Sequence, residues 1–168
     1  MRSMLNRTTL AVALAVAGAV TFSAVGFAST SHSSGQARHG VQVIQISSVT
    51  AQETFLDAAP TDFSLGDSYV FSEDLFKGTK RIGDAGGQCT TVRIDKDASV
   101  AKCSETFRLP DGQIATEGLV TFDPVTGGTQ FTWAITGGTG AYRTARGEVN
   151  IVETNAGANS TLDFRITR

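Results

Sequence analysis

After residue 40 the chain has no stretch in which apolar residues recur at helical spacing; short runs rich in Val, Ile, Thr and Phe alternate instead with Gly, Asp and Pro. A period of two with such punctuation is the mark of strands, so the region reads as all-β. Eight strands are predicted: Val41–Val49, Asp67–Lys77, Gln88–Ile94, Val100–Arg108, Gln113–Phe122, Thr129–Thr136, Arg146–Thr154 and Thr161–Thr167. Phe131, Trp133 and Ile135 share one strand face, and Leu162, Phe164 and Ile166 share another, with polar residues between them. The first strand is apolar on both faces, at Val41, Val43, Ile44 and Ile46, which implies that its outer side is covered too, as by a second subunit. Eight antiparallel strands joined by short turns favour a closed up-and-down barrel, because closure removes exposed edges. A two-sheet sandwich is the alternative. The lumen of an eight-stranded barrel is either filled by side chains or just wide enough for one small ligand.

The first 28 residues stand apart. Arg2 and Arg7 precede an uncharged run rich in Ala, Val and Gly that ends in the small residues Gly26 and Ala28. This is the pattern of a cleaved secretory signal peptide rather than a membrane anchor. Residues 29–40 are polar and hold both histidines, His32 and His39, and read as a disordered tether. Residues 41–168 then form one domain, secreted and without membrane association in its mature form. Loss of Arg2 and Arg7 leaves 12 basic residues against 16 acidic ones. The scatter of those basic residues argues against a nucleic-acid surface.

Export also bears on the two cysteines, since thiols in an oxidising compartment tend to pair. Cys89 and Cys103 lie symmetrically about Lys96, in two strands joined by Asp95-Lys96-Asp97-Ala98, where a cross-strand disulfide fits. Closing that loop stabilises a fold by roughly 3 kcal/mol on the chain-entropy model. A catalytic or metal-bound cysteine is the alternative. With no histidine in the barrel region, histidine triads and zinc or copper sites are not expected, and no EF-hand spacing occurs.

The stretch ITGGTGAYRTARGEV, residues 135–149, has the glycines of a phosphate loop. Such a loop needs a helix N-terminus to meet the anion. RGEVNIVET, residues 146–154, alternates like a strand, and no Lys-Ser/Thr pair follows the glycines. The two Thr-Gly-Gly-Thr copies, at 126–129 and 136–139, therefore read as turns flanking one strand.

GGTGAYRTARGEV resembles the GGTG-x-[FY]-x-x-ARG signature of dirigent proteins. A wider set of segments, LGDSYVFSEDLF, RIGDAGGQC, LPDGQIATEGLVTF and TWAITGGTGAY, is similar in order and spacing to the allene oxide cyclase family, which shares the barrel. The resemblance implies an eight-stranded antiparallel barrel with a ligand cavity at one end, assembled as a homotrimer and working without a cofactor. It also implies catalysis by positioning and electrostatics on a reactive, apolar organic molecule. Allene oxide cyclases close a fatty-acid epoxide, dirigent proteins steer phenoxy radicals or quinone methides, and related bacterial barrels shape cycloadditions.

Carried over position by position, the pattern changes chemistry. The pocket glutamate and asparagine of the cyclase first strand fall on Gln45 and Ser47, so its key carboxylate is missing there, which argues against allene oxide cyclase activity itself. The asparagine of the next pocket segment falls on Glu73, beside Phe71 as an apolar contact, and the pocket cysteine falls on Cys89. The dirigent positions are Tyr142 and Arg146, while the acidic partner expected near the first strand is absent. Arg146 is either an anion-stabilising catalytic residue or an arginine bonded to its own turn. Glu117 and Glu105 are each either a lumen carboxyl with a raised pKa, able to act as a general acid, or a surface group. Trp133 is either core or a ligand contact. The expectation is a secreted barrel that is a cofactor-free cyclase, isomerase or stereochemistry-directing protein; carriage of a hydrophobic ligand, as lipocalins do, is the alternative.

Overall fold

A computed structural model of the chain describes residues 40–58, 63–96, 98–122, 129–154 and 158–167. The leader and all of the tether but Gly40 lie outside the described residues. Eight strands follow one another as β1 (Gln42–Leu56), β2 (Ser68–Lys77), β3 (Lys80–Ile94), β4 (Ser99–Leu109), β5 (Gly112–Phe122), β6 (Gln130–Gly138), β7 (Arg146–Thr154) and β8 (Asn159–Thr167). Each pairs antiparallel with the next, and β8 pairs with β1, closing the barrel. This is the up-and-down barrel rather than the sandwich. Among the described residues no helix is long and apolar enough to cross a membrane, which says nothing about strands.

Two strands are longer than the sequence predicts. β1 continues to Leu56 through the polar run Thr50–Thr54, and β3 begins at Lys80 rather than Gln88. The β1 extension lacks apolar alternation because its inward positions border a cavity, and a bulge between Thr50 and Gln52 shifts the inward set from even to odd residues. The early part of β3 hides in Gly83, Gly86 and Gly87, which look like loop residues. A Cβ on Gly87 would lie 2.5 Å from Cζ of Phe71, its partner on β2, so the glycine makes room for the ring.

Alternating strand directions put the β2–β3, β4–β5 and β6–β7 turns at one end and the last residues of β1, β3, β5 and β7 at the opposite end. The first end is plugged. Leu75, Phe107, Ile114, Val149, Phe164 and Ile166 are buried there, and Phe107 meets Phe164 edge to face at 4.9 Å. Beneath them the glycine-rich turn of the dirigent-like signature packs on the Pro110-Asp111-Gly112 turn. Thr139 N–H donates to the Gln113 carbonyl at 2.9 Å and Ala141 N–H to the Asp111 carbonyl at 2.8 Å. Gly140 has φ 58°, and a Cβ there would sit 2.4 Å from the Asp111 carbonyl oxygen, so only glycine lets the two turns touch.

Candidate functional site

The opposite end of the barrel is hollow. A cavity of about 810 Å³ occupies it, lined by the inward residues of every strand. Its walls are aromatic: Tyr69 and Phe71 stack on β2 at 5.5 Å between ring centres, and Phe122, Phe131 and Trp133 face them from β5 and β6. The Trp133 indole is buried and lies against Gly118, where a Cβ would come within 2.1 Å of Cδ1. Its Nε1–H has no hydrogen-bond partner. A buried donor left unpaired at a cavity wall is available to an acceptor within the cavity.

Carboxyl groups supply the other half of the lining. Glu105, on β4 one inward step above Phe107, is 5% exposed, and Glu73, on β2 one inward step above Leu75, is 9% exposed. β3 separates their strands, so the two reach one region of the cavity floor, where Ser48 of β1 is also buried. Burial pushes the Glu105 carboxyl well above its ordinary pKa, and the neighbouring Glu73 charge pushes it further. Burial likewise raises Glu73, against weaker opposing effects of Ser48 and Glu105. Neither Ser48 Oγ nor Glu105 Oε1 makes a hydrogen bond of normal geometry. Two like charges so placed disfavour double ionisation, so the pair titrates as a unit and tends to keep a proton.

Nearer the mouth, Glu153 of β7 is also raised, by burial and then by the Glu73 charge. Glu53 of β1 accepts a short hydrogen bond from the Tyr69 hydroxyl, whose own pKa is raised by burial first and that bond second. Asp67 is fully buried at the start of β2 and held ionised by the Ser64 N–H at 2.7 Å, with the Ala58 N–H at 2.9 Å. These bonds tie Ala58 and Ser64 to Asp67 beside the cavity.

The residues singled out in the sequence divide between this site and places remote from it. Glu73, Phe71, Cys89 and Trp133 line the cavity together, with Glu105. Cys89 is bonded to Cys103, directly opposite on β4, so it presents a disulfide and not a thiol. Gln45 and Ser47 are on the outer face of β1, because the inward residues are Ile44, Ile46 and Ser48. Glu117 is on the outer wall and pairs with Lys102, outside the cavity. Arg146 is exposed at the plugged end and donates from Nη1 to the Ala145 carbonyl at 2.7 Å, its turn-bonding alternative. Tyr142 is buried in the same plug. The signature that carries the dirigent resemblance thus builds the floor of the barrel, away from its mouth.

Glu53, Glu153 and Tyr69 were not singled out in the sequence. Glu153 follows Val149 and Ile151 at inward spacing, and Glu105 sits between Cys103 and Phe107 in the same way. An acidic residue at an inward step of an apolar alternation is the usable signal. Glu53 escapes it, since the bulge at Thr50 breaks the count.

The model of the allene oxide cyclase barrel like domain matches residues 44–165. No curated protein matches. Among solved structures, a pyocyanin demethylase is similar at 25% identity and TM-score 0.65, covering 74% of this chain and 99% of that one. An exo-specific intermolecular Diels-Alderase, AbnU, is similar at 17% identity and TM-score 0.64, covering 77% of this chain and 99% of that one. A pterocarpan synthase dirigent protein is similar at 16% identity and TM-score 0.53, covering 76% of this chain and 88% of that one. The last two show a shared fold.

Proposed function

The chain belongs to the allene oxide cyclase barrel like family, and from that premise we propose that it is a cyclase, isomerase or stereochemistry-directing protein acting on a reactive, largely apolar small molecule in the open half of the barrel. The observation that carries this reading is the buried Glu73–Glu105 pair on the floor of an aromatic cavity. A carboxyl pair that keeps one proton can give it to one atom of a substrate while the carboxylate takes another from elsewhere on the same molecule. The net change is an isomerisation or ring closure with no proton gained or lost and no outside oxidant. The aromatic walls hold the substrate in one conformation and exclude water. Trp133 Nε1–H is a donor for a substrate oxygen.

Carriage of an unchanged ligand calls for an apolar lumen, and the carboxyl pair weighs against it. Export as a mature protein is supported by the leader-like first 28 residues and by the Cys89–Cys103 disulfide. A homotrimer is supported by Val43 and Val49, apolar and exposed on the outer face of β1, and by Val41, exposed just before it.

The test is conversion. Incubated in D2O with a low-mass extract of the producing culture, the protein is expected to convert one component to an isomer carrying solvent deuterium. The Glu73→Gln/Glu105→Gln double variant is expected to bind that component without converting it. A component that the unaltered protein binds and returns unchanged would overturn the enzymatic reading in favour of carriage.

A further inference from the structure

The charge of the cavity is one-sided. Glu53, Asp67, Glu73, Glu105 and Glu153 line it, and among its described lining residues there is no Lys, Arg or His. Most of the described basic residues lie at the other end: Lys77, Lys80 and Arg81 flank the β2–β3 turn, Arg108 is next to the end of β4, and Arg143 and Arg146 flank the start of β7. The plugged end is mixed in charge, since Arg81 and Arg108 pair there with Asp74 and Asp84, so the one-sided charge is that of the acidic, aromatic-walled mouth. Such a field attracts cations to the mouth and repels anions.

Two unpartnered polar atoms point to what the cavity accommodates. Glu105 Oε1 and Trp133 Nε1 are both buried, both belong to lining residues and both lack a hydrogen-bond partner. A carboxyl oxygen without a donor is suited to an N–H⁺ group, and aromatic faces attract cations through their quadrupoles. We propose that the cavity selects a planar aromatic ligand bearing a positive charge or a protonatable ring nitrogen, seated between the Phe71 and Trp133 sides with its nitrogen toward Glu105. A neutral ring nitrogen takes the proton held by the Glu73–Glu105 pair, leaving two carboxylates whose mutual repulsion the new N–H⁺ offsets. A ligand bearing a carboxylate of its own, like a fatty acid, adds a further negative charge to an acidic lining that, among its described residues, holds no Lys, Arg or His.

This inference rests on the reading of the cavity as the substrate site, and its test separates the two. Trp133 is the only tryptophan in the chain, so quenching of its emission reports binding in the cavity. Three probes of one shape and different charge are titrated: 10-methylacridinium, acridone and acridine-9-carboxylate. The cation is expected to bind about tenfold or more tighter than the anion, with acridone between. Glu105→Gln and Glu153→Gln are each expected to narrow the cation–anion ratio by roughly threefold to tenfold. The ratio in the unaltered protein needs no variant, so a misfolded variant cannot rescue the proposal. Quenching by acridone or the carboxylate at affinity equal to or above the cation's would overturn the charge selectivity and leave the cavity reading standing. Failure of all three to quench would overturn both.

Discussion

Trp133 and Gly118 occupy one space: a Cβ on Gly118 would lie 2.1 Å from Cδ1 and 2.7 Å from Cγ of the indole. Phe71 and Gly87 repeat the arrangement on β2 and β3. Each ring lies against the barrel wall over a glycine instead of standing in the lumen, and that keeps the open half hollow. Gly118→Ala therefore forces the indole inward. The expected outcome is a loss of about 1–3 kcal/mol in urea denaturation, as for overpacked interiors, together with a shifted Trp133 emission maximum and weaker ligand binding.

The Glu73–Glu105 pair makes stability depend on pH in a definite direction. Burial, then mutual charge, raises the Glu105 carboxyl in the folded state, so the folded barrel keeps protons that the unfolded chain has released. The pair's contribution to stability is full below the unfolded carboxylate range, about 4.3, and is lost as pH rises through the raised values. Glu105→Gln removes the costlier charge and should be more stable than the parent at neutral pH by roughly 1–3 kcal/mol. Its stability should also fall less between acid and neutral pH. Urea denaturation across that range checks both. Glu73 and Glu153 remain raised, so part of the slope persists.

Cys89 and Cys103 close a loop with a sequence separation of 14. Their joint replacement by alanine is expected to lower stability by about 3 kcal/mol. Because Cys89 also lines the cavity, the same change should alter ligand affinity, whereas a disulfide remote from the site would leave it unaltered. Thermal melts and Trp133 titrations with and without reductant measure the two effects separately.

At the plugged end, adjacent residues of the Ala145-Arg146-Gly147 triplet should behave oppositely. Gly147 has φ 125°, and a Cβ there would lie 2.0 Å from the Arg165 carbonyl oxygen, so Gly147→Ala should cost about 2 kcal/mol or more. Arg146→Ala removes an exposed side chain bonded to its own turn and should cost under about 1 kcal/mol. Ligand affinity should not change in Arg146→Ala. Its loss in a folded variant would place the ligand at this end after all.

The fold was legible in the sequence where strands face packed side chains. In β8, Leu162, Phe164 and Ile166 alternate with polar residues from Thr161 to Thr167, and in β6 Phe131, Trp133 and Ile135 alternate with Gln130, Thr132 and Thr136, broken only at Ala134. Legibility failed where strands face the cavity or carry rings over glycines, as in the second half of β1 and the first half of β3. There an inward residue need not be apolar. The site was half legible for the same reason. Glu73, Phe71 and Trp133 emerge from pattern and resemblance, but alignment of the first strand misses the inward set by one residue, choosing Gln45 and Ser47 over Ser48. A one-residue shift turns every side chain to the other wall. Arg146 drew notice because its motif is distinctive, and the motif is distinctive because two turns must touch, which is a demand of folding.

The most direct measurement is native mass spectrometry of the protein purified from its producing culture, alongside the Gly118→Val variant. The unaltered protein is expected to retain one small molecule per barrel, and the variant, whose lumen is narrowed by the displaced Trp133 ring, to retain none. An unaltered protein that carries no molecule, or a folded variant that keeps the same one, would contradict the assignment of the acidic, aromatic cavity as the site.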